Sequence, residues 1–274
     1  MAATEPVDIV ALGVDDAQAG LVLSTEARWN QNEADWLFFL TRGHVFGVRV
    51  GARLVATAAL LPYSAGQAWI SMVLVTADFR RRGIATQLVD ACLAAAAKLG
   101  LTTWLDATPD GATVYGPLGF KPTLQLRRLR LTTPQAAGAT HSPSNGNLET
   151  LAARDIDAMG FERRALLSEF SARRASRIVA DNQAIALVRE GRTARHIGPL
   201  LAGRADQALA LVDAIVRSET GPWLIDAVHS QESFLGGLVA SGWNIERPFQ
   251  RMRFGPPAIS PAQPPFAVAG PEFG

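Results

Sequence analysis

Four short segments in the first half of this chain return, in the same order, in the second half. Leu88-Val-Asp-Ala91 returns as Leu211-Val-Asp-Ala214, and Thr103-Trp-Leu-Asp-Ala107 as Pro222-Trp-Leu-Ile-Asp-Ala227. Leu118-Gly-Phe120 is echoed by Ser241-Gly-Trp243, and Arg128-Leu-Arg-Leu131 by Arg251-Met-Arg-Phe254. A tandem duplication of one fold is the simplest source of such order. The 274 residues suit one large domain or two of ordinary size. Between the halves, residues 132–147 carry no Asp, Glu, Lys or Arg and few large apolar side chains, the composition of a linker. The expected boundaries are therefore a first domain over 1–131, a linker over 132–147 and a second domain over 148–257. A Pro-rich tail over 258–274 should run loose or over the surface.

Within the first half, Val7 to Leu12 reads as a strand. Asp15 or Asp16 is placed to cap a helix running to Ala27, and Asn32 to cap another running to Thr41. Apolar β-rich runs at 44–50 and 54–61 flank Gly51-Ala52-Arg53 as a hairpin turn. A strand at 69–75, a helix at 84–99 (Ile84, Leu88, Ala91, Ala95 and Leu99 on one face), a strand at 102–107, a short helix at 111–117 and a strand at 124–131 complete a β-α-α-β-β-β-α-β-α-β order. The class is α/β in the α+β sense.

One stretch speaks to chemistry. After the apolar strand ending at Val75 come Arg80, Arg81, Arg82 and Gly83, and then a helix. The first N–H groups of a helix lack internal partners and its dipole is positive there, so the strand–loop–helix junction attracts anions. Gly83 lets backbone approach a ligand closely, and the arginines suit phosphate oxygens. No G-x-x-x-x-G-K-[ST] is present, which excludes a P-loop, and one glycine is too few for a dinucleotide fingerprint.

The order Arg80-x-x-Gly83-x-Ala85 resembles the acyl-CoA pyrophosphate motif Q/R-x-x-G-x-G/A of the GNAT superfamily of N-acetyltransferases. Tyr115-Gly-Pro-Leu-Gly119-Phe120 matches a second family element downstream. The resemblance implies tandem GNAT folds, each a mixed, mostly antiparallel twisted sheet flanked by helices. It also implies acetyl-CoA as cosubstrate and transfer of its acetyl group, by direct attack, to an amine, expected to be that of a small molecule. Met72, Val73, Leu74 and Val75 would lie along pantetheine. Arg80, Arg81, Arg82, Gly83, Ile84, Ala85 and Thr86 would hold the pyrophosphate, and Thr108 would contact the cofactor where the family often has Asn. Ala77 stands where the family often has Pro. Tyr115 falls at the family's general acid, able to protonate the departing thiolate. A protein acetyltransferase and a non-catalytic acyl-CoA sensor remain alternatives.

The second copy departs from the first where the chemistry lies. From Val75 to Val89 is 14 positions, but from Leu201 to Val212 only 11, and the shorter loop holds Gly203-Arg204-Ala205-Asp206. Asp206 would set a negative charge against a pyrophosphate, and Leu238 replaces Tyr115. The second copy is expected to be a degenerate GNAT-like domain. It is more distantly similar to the C-terminal domain of a tandem subgroup that includes holothin acyltransferase-like proteins, through Gly160-Phe-Glu-Arg-Arg164 and His196-Ile-Gly-Pro-Leu-Leu-Ala202.

An alkylamine is mostly protonated at neutral pH, so something must take its proton. Asp106, Glu33 and Asp35 are candidates, though each also suits a cap or a surface carboxylate. Trp29-Asn-Gln-Asn-Glu-Ala-Asp-Trp36, which would border the acceptor site of a GNAT fold, nominates Trp29, Asn30, Gln31 and Glu33 as substrate residues. Composition closes other routes. Net charge is +1, which gives no general pull toward nucleic acid. Cys92 is the only cysteine, and the four histidines have no ligand spacing, so no metal is expected. The N-terminus lacks the regions of a signal peptide and no run of 18 apolar residues occurs, so a cytoplasmic protein without membrane attachment is expected. A homodimer is left open.

Overall fold

The computed structural model describes residues 7–132, 143–181, 183–256 and 263–274. The first half runs β1 (Ile9–Ala11), α1 (Ala17–Glu26), α2 (Glu33–Arg42), β2 (His44–Val50), β3 (Arg53–Pro62), β4 (Gln67–Val75), α3 (Ile84–Lys98), β5 (Thr102–Ala107), α4 (Pro109–Tyr115) and β6 (Lys121–Leu131). This is the order that periodicity predicts. Asn32 caps α2 as expected, accepting the Asp35 N–H at 3.1 Å while the Asp35 carboxylate takes the Asn32 N–H at 3.0 Å. Gly51, at φ 58°, makes the turn between β2 and β3, and Arg53 already pairs with Val50.

The second half contains β7 (Ser144–Asn145), α5 (Leu148–Met159), α6 (Arg164–Ala172), β8 (Arg177–Asp181), β9 (Ala184–Arg189), β10 (Arg195–Leu201), α7 (Ala205–Ser218), β11 (Trp223–Val228), α8 (Glu232–Ala240) and β12 (Asn244–Phe254). Ser144 and Asn145, read from sequence as linker, pair with β8 at the sheet edge; the linker residues 133–142 lie outside the described residues.

All strands join one twelve-stranded sheet in the order β1-β2-β3-β4-β5-β12-β6-β11-β10-β9-β8-β7. The two copies have exchanged their last strands: β12 pairs with β5, β6 pairs with β11, and β6 and β12 pair with each other. The central ladder pairs Asn244 with Arg130 and Lys121 with Arg253, a register that maps onto itself when the copies are interchanged. The echoed residues meet crosswise. Arg128 of the first copy forks onto Asp226 of the second at 2.7 and 2.8 Å, and Arg251 of the second forks onto Asp106 of the first at 2.8 Å twice. All four side chains are buried.

Helices cover both faces. On one face α1 and α2 share a core with α5 and α6, in which Trp36, Phe38 and Phe39 join Leu167 and Phe170. On the other face α3 packs through Leu88, Val89 and Cys92, and α7 through Leu211, Val212 and Ile215. Cys92 is thus a buried core residue.

The tail is the main correction to the sequence reading. Residues 265–274 are buried, not spread on the surface. Phe273 stacks on Phe39 with ring centroids 4.9 Å apart, and Trp69 Nε1 donates to the Pro271 carbonyl at 3.0 Å. Arg163 Nη1 donates to the Phe273 carbonyl at 3.1 Å. The aromatic and apolar content of Pro-Phe-Ala-Val-Ala-Gly-Pro-Glu-Phe makes burial favourable, and proline adds little entropy cost on ordering.

Two outcomes follow for stability. Arg128→Met leaves Asp226 charged and buried, and should cost about 3–5 kcal/mol in urea unfolding, whereas the double variant Arg128→Met/Asp226→Leu should regain most of it. His196, buried against Asp226 with Nε2 2.9 Å from Oδ2, is pushed down from its ordinary 6.5 to about 4, burial outweighing the Asp226 hydrogen bond. The unfolded chain takes that proton below about 6.5 and the folded one only near 4. Stability should therefore fall as pH drops through this window, by about 2–3 kcal/mol. Calorimetry of His196→Gln should give a flatter profile there.

Candidate active site

The site begins with a fault in strand pairing. Along β3 and β4, Thr57 faces Leu74 but Ala59 faces Ser71, so the register slips around Met72, which sits at φ 51°. Thr57 Oγ1 holds the slip by donating to the Met72 carbonyl at 2.8 Å. A bulge of this kind bends its strand. Accordingly β4 pairs with β5 only from Gln67 to Trp69, and beyond that point the two strands part.

A cavity of about 100 Å³ lies in the resulting cleft. Ile70, Ser71, Met72 and Val73 form one wall, and Leu105, Asp106, Ala107 and Thr108 the other. Tyr115, from the end of α4, closes one side and Trp29 and Gln31 another. Arg128, Arg247 and Phe249 come from the exchanged strands, and Pro271 and Glu272 from the tail.

At the far end of β4 a loop leads through Gly83 into α3. Gly83, at φ 75°, caps α3 in a conformation that favours glycine, and α3 starts at Ile84. The N–H groups of Ile84, Ala85 and Thr86 belong to the first turn, where helices have no internal acceptor to offer. Arg80 Nε donates to the Val75 carbonyl at 3.0 Å and Arg82 Nη2 to the Asp78 carbonyl at 2.7 Å, so both brace the loop. Arg81 is exposed at φ 61° and has no ion pair among the described residues. Glu26 ties α1 to this loop by accepting Thr76 Oγ1 at 2.6 Å and the Ala77 N–H at 2.8 Å.

Tyr115 is half-buried, its ring 6.0 Å from that of Phe120, and its hydroxyl has no partner among the described residues. Burial, with Cys92 nearby, pushes the phenol up to about 12, so it carries its proton at neutral pH. Thr108 Oγ1 caps α4 by accepting the Gly111 N–H at 3.2 Å. Met72, Leu74 and Ile84 bury their side chains in the core.

Other expectations need correction. Asn30 does not face the cavity. Its Nδ2 donates to the Ala194 carbonyl at 3.0 Å and its Oδ1 accepts the Thr193 and Ala194 N–H groups at 2.9 and 3.0 Å, stapling the two copies together. Glu33 is exposed in the first turn of α2, where a carboxylate suits the dipole. Asp35 is held by Arg173, 2.6 Å away, besides its capping role. Asp106 lines the cavity, but both its oxygens belong to Arg251. None of the three carboxylates read from sequence is a free base. Glu272, Ser71, Arg247 and Phe249 were not anticipated; the tail that carries Glu272 gave only a Pro-rich signal.

The second copy repeats the parting of strands but fills it. β10 pairs with β11 from Arg195 to Ile197, and its register against β9 then slips before Leu200. Between the parted strands runs the tail. The Phe266 N–H donates to the Leu200 carbonyl and the Leu200 N–H to the Ala267 carbonyl, both at 2.9 Å. On the other side the Val228 and Val268 N–H groups donate to Phe266 and Asp226 carbonyls, both at 3.0 Å. Trp69 pairs with Trp104 and His196 with Leu224, so counting from these matched pairs makes Leu200 the counterpart of Val73. At the start of α7, Asp206 is exposed and paired with Arg204.

The comparisons agree with this architecture. The profile of the Acetyltransferase (GNAT) family matches residues 16–119, and that of an Acetyltransferase (GNAT) domain matches residues 152–264. The Bacillus subtilis protein described as uncharacterized N-acetyltransferase YitH is 22% identical over 249 residues, covering 86% of this chain and 88% of that protein. A solved structure from Pyrococcus horikoshii, described as a proposed acetyltransferase, superposes with a TM-score of 0.83 at 19% identity, covering 99% of this chain and 97% of the other. A tandem GNAT protein of the clavulanic acid biosynthesis pathway superposes with a TM-score of 0.62 at 16% identity, over 92% and all of the respective chains. The chain belongs to the GNAT acetyltransferase family and carries its domain twice.

Proposed function

We propose that this protein is an acetyl-CoA-dependent N-acetyltransferase acting on the amine of a small molecule, with all of its chemistry in the first copy. The observation that carries this reading is the pair of strand clefts: the first opens on a cavity beside Tyr115 and the second is filled by the chain itself. Pantetheine is amide-bearing and extended, like the peptide segment 266–268 in the second cleft, so backbone groups around Val73 suit it. The turn at Gly83 and the α3 N-terminus suit the pyrophosphate.

Acetyl-CoA supplies a thioester open to attack by an amine. The chain supplies position and proton transfer. Backbone N–H groups of β4 polarise the acetyl carbonyl, and Tyr115, protonated at neutral pH, returns a proton to the thiolate that leaves. Walls drawn from both copies and the tail favour a small amine over a protein side chain. The second copy then acts as scaffold: it contributes Arg247, Phe249 and the tail to the first site.

Calorimetric titration of acetyl-CoA should give one site per chain, lost in Gly83→Asp. Two sites would overturn the scaffold role of the second copy. Tyr115→Phe should lower kcat about 10²-fold or more with acetyl-CoA affinity unchanged; an unaltered rate would remove Tyr115 as the acid. Tight binding with no transfer to any amine would point instead to an acyl-CoA sensor. Turnover confined to peptide amines would point to a protein acetyltransferase.

A further inference from the structure

Three residues that line the cavity carry side-chain oxygens with hydrogen-bonding capacity to spare. Gln31 is 3% exposed, and its Oε1 has no partner. Ser71 is 8% exposed, and its Oγ has none either. Leaving a buried polar atom unpaired is costly, and native proteins rarely do so without a ligand or water to satisfy it. The third is Glu272, 8% exposed, brought in by the tail. Its nearest cation is Arg189, with Nη2 3.5 Å from Oε1, longer than a good charge-assisted hydrogen bond. Asp106 and Arg128, the other buried ions of the cavity wall, are each fully engaged in a forked pair.

A primary ammonium group offers three N–H donors and no acceptor. Resting on the acetyltransferase reading above, we propose that Gln31 Oε1, Ser71 Oγ and the Glu272 carboxylate form the acceptor-amine subsite, and that Glu272 is the general base. The ammonium N–H bond breaks to leave its electron pair on nitrogen, and the proton passes to Glu272. The nitrogen pair forms the new C–N bond at the acetyl carbon, the C–S bond breaks onto sulfur, and the thiolate takes the Tyr115 proton. The second N–H proton of the acylated nitrogen passes through water to the Tyr115 phenolate, leaving a neutral amide, and Glu272 gives its proton to solvent. The subsite selects primary amines over secondary ones, because a secondary ammonium has one donor fewer.

The placement suits a base. Burial raises the Glu272 carboxyl above the ordinary carboxylate range, while Arg189 on β9 and Arg128 on β6 oppose it and Asp35 on α2 and Asp226 on β11 add to it. Asp106 on β5, Arg247 on β12 and Tyr115 on α4 share the cavity. The tail is anchored on both sides of Glu272, through Pro271 to Trp69 and through Phe273 to Arg163.

The test uses the full-length protein with ethylamine and dimethylamine as probes, next to a broad panel of small amines, with acetyl-CoA binding measured in parallel. Glu272→Gln should lower kcat/KM about 10²-fold or more and abolish the acid limb of its pH profile. Acetyl-CoA affinity should stay within about twofold, and Glu272→Asp should recover part of the rate. Gln31→Leu and Ser71→Ala should each raise KM for the amine about tenfold with kcat less affected. If amines are acetylated but Glu272→Gln keeps rate and pH profile, the base is wrong. If Glu272→Gln does not fold, unchanged KM in Gln31→Leu and Ser71→Ala overturns the subsite. Failure of the wild type to acetylate any amine overturns the acetyltransferase reading instead.

Discussion

The two forked pairs at the centre of the sheet, Arg128 with Asp226 and Arg251 with Asp106, are the interaction on which the rest of the structure depends. Each joins a residue of one copy to a residue of the other, so neither copy can complete its central strands alone. The pairs add little net stability, because removing two charges from water costs about as much as their attraction returns, but leaving either partner alone in the core would be costly. The charges alone cannot choose the arrangement, however, since each copy carries the same arginine and the same aspartate. Topology chooses. β5 and β6 are joined through α4 and run parallel, as a helical crossover demands. The gap left between them accepts an antiparallel strand, and β12 is the one that fits. The same argument, with copies interchanged, places β6 beside β11.

Strand exchange also decides what the first site is made of. A cleft between β4 and β5 would by itself be a groove open to solvent on its far side. With β12 against β5, Arg247 and Phe249 stand at that side, and the loop stapled by Asn30 holds Trp29 and Gln31 over it. The bulge at Met72 provides the groove, and the second copy closes it.

Much of this was legible in the sequence, for a physical reason. Strands, helices, the capping role of Asn32 and the loop ending at Gly83 depend on near neighbours, and periodicity and turn chemistry report them. The echo of Arg128-Leu-Arg-Leu131 in Arg251-Met-Arg-Phe254 was equally plain, but whether each arginine meets its own copy's aspartate or the other's depends on sheet order, which no local pattern carries. The base proposed here was hidden for a related reason. Asp106, Glu33 and Asp35 stood in the right region yet were consumed by an arginine fork, an exposed helix start and a cap. Glu272 lay in a segment whose prolines and glycines read as loose chain. Proline lowers the entropy cost of fixing such a segment, and Phe266 and Phe273 give it apolar surface to bury, so the same composition fits a strap threaded through the core.

That strap gives the duplication its sense. In the second copy the parted strands β10 and β11 expose backbone groups on both sides of the cleft, and buried unpaired amides are costly. Residues 266–268 satisfy them from within the chain, through four hydrogen bonds of 2.9 to 3.0 Å. A segment fixed so firmly at one end can present its other end with little residual freedom, and that end crosses to the first cavity at Pro271 and Glu272. The cleft of the second copy thus retains the geometry of its counterpart while its occupant has become peptide. On the reading proposed here, a place for a cosubstrate in one copy has become the anchor for a side chain used by the other. This accounts for a second copy that keeps its sheet and helices while its strand-to-helix loop is shorter and leucine stands at the position of Tyr115.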